Sequence, residues 1–137
     1  MKNQFSKAIE NLVESRSALR VATVLFLYSN DISVSIGDKV ISQERLTKLL
    51  RDDEVLVFDS LKNSSNIIKF EPLMGATFKA EFRESDEVRY FIEPVIRRIS
   101  LYDSRITSLY EQFMNSYNEC KNLNPQFVVK YEALFKV

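Results

Sequence analysis

The 137-residue chain contains no histidine, one cysteine, two glycines and three prolines. Without histidine it lacks the commonest general base and the commonest metal ligand, so a Ser-His-Asp triad, a Cys-His pair and histidine-bearing zinc sites are excluded. One thiol, Cys120, excludes an internal disulfide and a thiolate zinc cluster. With glycine only at positions 37 and 75, no phosphate-cradling loop can be written. No early apolar run marks a signal peptide, and Val21–Tyr28, the longest nearly apolar stretch, is far too short to span a bilayer. Together these absences lead us to expect a cytosolic protein, or a nuclear one if its host has a nucleus, with no cofactor, no membrane segment and no small-molecule substrate. Net charge is zero, with 19 Lys+Arg against 19 Asp+Glu, which argues against a surface built mainly to grip phosphates.

What is present is ordinary globular material, 45% hydrophobic and 28% charged, enough for one domain with helical additions. Residues Lys2–Tyr28 have the period of one long helix or two abutting ones, amphipathic before Ala18 and apolar nearly all round after it. Ile32, Val34 and Ile36 alternate with serines, predicting a half-buried strand. Gly37-Asp38 predicts a tight turn and Lys39–Ile41 a return strand. Ser42 reads as the cap of a helix with Leu46, Leu49 and Leu50 inward. Asp52 or Asp53 starts another, with Val55, Phe58 and Leu61 inward and Glu54, Val57, Asp59 and Ser60 outward. Two alternating segments, 66–71 and 77–82, separated by Pro72–Ala76, predict a hairpin.

Ser85 reads as the cap of the longest predicted helix, running from Asp86 to about Cys120. Val88, Ile92, Val95, Ile99, Tyr102, Ile106, Leu109 and Phe113 form a coiled-coil-like seam along it, kinked upstream of Pro94. Such a helix is about 50 Å long at about 1.5 Å per residue, longer than a small domain can cover. We therefore expect Ile99, Tyr102, Ile106, Leu109 and Phe113 to form a dimer or partner interface. In a parallel homodimer Arg98 would approach the partner copy's Asp103. Asn124-Pro125 predicts the start of a last helix carrying Phe127, Val128, Tyr131, Leu134 and Phe135.

The order helix, strand, helix, helix, strand, wing, strand over about 18–82 resembles the winged helix-turn-helix superfamily. The resemblance is one of topology. It implies an α+β fold: a winged-helix domain with helical extensions at both ends, 1–137 forming a single domain. It is similar to winged-helix docking units in condensin-like, endosomal-sorting and lid-type assemblies, and also to small dimeric bacterial repressors. In DNA-binding members the second helix of the pair reads the major groove with donor side chains. Here that helix is DDEVLVFDSLK, acidic and poor in donors, and the wing tip offers Leu73 and Met74 rather than basic groups. The expectation is thus a non-enzymatic protein-interaction module, self-associating and part of a larger assembly, with DNA binding weak or nonspecific at most. The alternative is a dimeric DNA-binding transcriptional regulator using Arg16, Arg20, Arg83, Arg89, Arg97 and Arg98. Two further features have bland readings. Asp52, Asp53, Glu54 and Asp59 could serve a magnesium nuclease, but an acidic start suits a helix dipole. Cys120 has no histidine beside it and reads as a buried structural residue.

Overall fold

A computed structural model describes residues 3–36, 39–41, 43–48, 50–63, 73–80, 92–124 and 126. The Gly37-Asp38 turn, the Ser42 cap, Leu49, the strand at 66–71, Arg83, the Ser85 cap, Val88, Arg89 and the final helix lie outside these residues. The elements are α1 (Gln4–Ser29), β1 (Ser33–Ile36), β2 (Lys39–Ile41), α2 (Gln43–Thr47), α3 (Asp52–Lys62), β3 (Thr77–Ala80), α4 (Ile92–Ile99) and α5 (Ser104–Leu123). The architecture is α+β and mostly helical, and no helix among the described residues is long and apolar enough to cross a membrane.

Helix α1 is the spine. Asn3 caps its start, its side chain accepting the Ser6 N–H at 2.7 Å. Ala8, Leu12, Leu19, Val24 and Leu27 are buried along it. Each large aliphatic side chain among them contributes about 1.5–3 kcal/mol. The helix ends in a Schellman motif. The Ile32 amide donates to the Leu27 carbonyl at 2.8 Å, and the Asp31 amide to the Tyr28 carbonyl at 3.2 Å. Asp31 adopts the left-handed conformation that this motif requires, at φ 52°. Ile32 and Leu27, both fully buried, make the accompanying apolar contact and turn the chain into β1.

The three described strands lie in the order β2-β1-β3. β1 and β2 are antiparallel, with Val34 opposite Ile41, as the return strand at Lys39–Ile41 was expected to be. β1 and β3 are parallel, with Ser33 opposite Thr77 and Val34 opposite Phe78. Parallel neighbours need a long connection, and α2 and α3 lie within this one. Gly75 takes φ 73°, a conformation that glycine adopts without steric cost. Its amide donates to the Asn30 carbonyl at 3.2 Å, tying the approach to β3 to the end of α1.

The single long helix expected from Asp86 to Cys120 is corrected: Ser100–Asp103 separates α4 from α5. The Leu101 and Tyr102 amides reach back only three residues, to Arg98 and Ile99. Asp103 is extended. Its carboxylate caps α5 by accepting the Arg105 N–H at 2.9 Å. The seven-residue spacing continues across the break, so Ile99 and Ile106 both stay in the core. α5 packs mainly along α1, and α3 packs on α1 as well.

Candidate functional site

Two walls rise from α1. Val13, Ser17, Ala18, Val21, Ala22 and Leu25 form a floor. The α3 residues Glu54, Val57 and Leu61 line one side, and Asp103, which caps α5, with Arg105, Ile106 and Leu109 of α5 the other. The groove between them encloses about 680 Å³. Small side chains at 17, 18 and 22 keep the floor low, and Val57 leaves half of its surface, 51%, in solvent at the lip.

A buried ion pair holds the α3 wall on α1. Glu54 and Arg20 are each 2% exposed. Arg20 Nη1 donates to Glu54 Oε1 at 2.6 Å, and Ser17 Oγ donates to Glu54 Oε2 at 2.7 Å. The Arg51 amide donates to Oε1 at 2.8 Å, so the same carboxylate also satisfies the amide of the residue that caps α3. Charges this deep persist only when paired and hydrogen-bonded. Glu54 was expected to face outward and Arg20 to be available to DNA; both are corrected here, because each answers the other's charge inside the fold. Sequence reading missed the pair. The signal was an arginine in the apolar half of α1, where only a buried partner makes a charge tolerable.

The opposite wall carries a second, more exposed pair. Arg105 grips Asp103 side-on, Nε to Oδ1 at 3.0 Å and Nη2 to Oδ2 at 2.7 Å. These bonds and the nearby guanidinium charge hold the Asp103 carboxyl below the usual carboxylate range, against the opposing effect of burial, and raise Arg105. Asp103 was expected to meet Arg98 of a second copy; its partner is Arg105 of the same chain.

The proposed seam is divided. Ile99, Ile106 and Phe113 lie in the chain's own core and Leu109 is half-buried, whereas Tyr102 is 41% exposed. Leu73 is buried in the core, and Met74 next to it is 48% exposed. Among the arginines of the alternative reading, Arg16 is half-buried on α1, and Arg97 and Arg98 are exposed on α4. The acids considered for a nuclease do not converge: Glu54 is committed to Arg20, while Asp52 and Asp53 are exposed and Asp59 pairs with Lys62 at 3.1 Å. Among the described residues no group of three His, Cys, Asp or Glu side chains is placed to hold a metal ion. Cys120 is fully buried, as expected, and burial raises its thiol pKa.

A second hollow, between α2 and α3, is of mixed character. Lys62 Nζ lies 5.6 Å from the centre of the Phe58 ring, which meets Tyr28 edge-on at 5.5 Å. Both contacts have the geometry that a ring's negative face and positive edge favour. Comparison with family models, with curated proteins and with solved structures finds no match to this chain, and the groove is therefore interpreted from its own chemistry.

Proposed function

We propose that this chain is a non-enzymatic protein-interaction module of the winged-helix kind, a subunit of a larger assembly. The observation that carries the reading is the open apolar groove between α3 and α5, with Val57 and Leu61 exposed at its lip. Apolar surface of this kind, rimmed by charge, is characteristic of contacts with other proteins. The winged-helix part rests on the described order α1, β1, β2, α2, α3, β3, in which β2 is a short return strand on β1. Self-association through the long seam loses support, because Ile99, Ile106 and Phe113 fill the chain's own core.

Two measurements test the proposal. In a native extract the full chain, 16.0 kDa, should migrate within an assembly much larger than a dimer; migration as a monomer or homodimer alone would overturn it. In a titration at physiological salt, DNA should bind weakly and without sequence preference. Exposed Arg97 and Arg98 favour the regulator alternative, and sequence-specific binding tighter than about 10⁻⁸ M would establish it instead.

A further inference from the structure

We infer that the groove receives an amphipathic α-helix of a partner protein whose apolar stripe is flanked by lysine or arginine. This rests on the interaction reading above and names the partner's chemistry. Length is the first argument. The α1 positions that line the groove run from Val13 to Ser29. At about 1.5 Å per residue that is about 24 Å, which matches a helix of about 16 residues. Shape is the second. Ala18 and Ala22 on the floor allow a helix axis to approach within the roughly 8–10 Å typical of packed helices. The walls then offer Val57 and Leu61 on one side and Leu109 on the other to residues spaced i, i+3, i+4, i+7.

Charge decides the kind of helix. Asp103 is answered by Arg105 and Glu54 by Arg20. These two acids also cap α5 and α3, so the N-terminal dipoles of both walls are already met. That leaves Glu14 and Asp53 at the rim against Arg51, whose guanidinium stands 3.9 Å from Asp53. The rim therefore has an acidic excess that basic flanks would neutralise. A second copy docking through its own α3 would bring Asp52 and Asp53 against this rim, like charge on like.

The test uses the full chain and a fluorescein-labelled synthetic helix of about 16 residues, with a Leu/Ala stripe and lysine flanks, beside the same peptide with glutamate flanks. At about 50 mM salt, where screening is modest, the lysine peptide should bind at least about tenfold more tightly by fluorescence anisotropy. Val57→Lys and Ala22→Arg, each checked for an unchanged circular dichroism spectrum and urea midpoint, should weaken it by a similar factor. Glu14→Lys with Asp53→Lys should reverse the preference between the peptides. Equal binding of both peptides, or indifference to Val57→Lys and Ala22→Arg, would overturn the inference. So would a concentration-dependent doubling of mass abolished by Val57→Lys, which would make a second copy the occupant. Lysine-peptide binding that emerges only in Tyr131→Asp with Leu134→Asp would likewise assign the groove to the chain's own last residues. Any of these results alongside a large native assembly would leave the interaction reading intact and move the contact elsewhere, whereas loss of the assembly would sink the reading itself.

Discussion

Glu54 and Arg20 are the residues on which the groove depends. Removing one partner of such a buried pair takes from the other its buried counter-charge, at a cost of about 3–5 kcal/mol. We expect Glu54→Ala to lower the unfolding free energy by that amount in urea titrations. The double variant Arg20→Met with Glu54→Leu should recover most of it, because both charges then vanish together. A loss below about 1 kcal/mol for the single variant would show that water or the other contacts of Arg20 make up for the missing carboxylate. Thr23 presents the opposite situation on the same helix: its hydroxyl is buried with no hydrogen-bond partner. Thr23→Val keeps the shape and removes an unsatisfied group, so it should raise stability by about 1 kcal/mol. A destabilised Val variant would mean that the hydroxyl is satisfied in solution.

At the scale of elements, the junction between α4 and α5 controls how the seam is used. Asp103 begins α5, and its carboxyl is held below its ordinary value by Arg105. A carboxylate with a depressed folded pKa contributes stability that is complete above its unfolded value of about 3.9. That contribution is lost as the pH falls through the folded value. Asp103→Asn should therefore flatten part of the stability decline below about pH 4, and Asp103→Ala should cost about 1 kcal/mol at neutral pH through the lost cap. An acid limb identical in the Asn variant would refute the assignment. Seam residues on either side of the junction should respond unequally. Ile106→Ala should cost about 2–5 kcal/mol as a core cavity, whereas Tyr102→Ala should stay within about 0.5 kcal/mol. Thermal melts that rank the two the other way would contradict the packing of α5 on α1.

For the whole molecule, α1 touches both α3 and α5, so the elements should unfold together. Cys120, fully buried on α5, reports on this. Its thiol is shielded and its pKa raised by burial, so labelling by an aromatic disulfide reagent should be slow in the native state. It should accelerate in urea along the same curve as far-ultraviolet circular dichroism. Labelling that runs well ahead of helix loss would show α5 detaching separately.

Patterns of period 3.6 and period 2 were legible in the chain as written. They marked α1 and the strand around Val34, while the Gly37-Asp38 turn signal pointed to the return strand at Lys39–Ile41, the acids Asp52 and Asp53 to the start of α3, and the lack of a histidine beside Cys120 to a buried thiol. Local chemistry suffices for these, since each depends on neighbours within a few positions. The break at Ser100–Asp103 escaped because Ile99 and Ile106 keep a seven-residue spacing through it, and periodicity registers the face of a helix but not its interruption. Asp103 before a resumed helix was the available sign. Pairing over long separations was not legible. Nothing near Arg20 in sequence indicates that Glu54, 34 residues away, will meet it, and nothing in the seam says that α1 covers it rather than a second chain. Composition set the inventory of chemistry, with no histidine and one thiol. Tertiary packing decided which charges are spent inside the fold and which apolar residues remain uncovered, because burial is a property of the assembled helices and not of any segment alone.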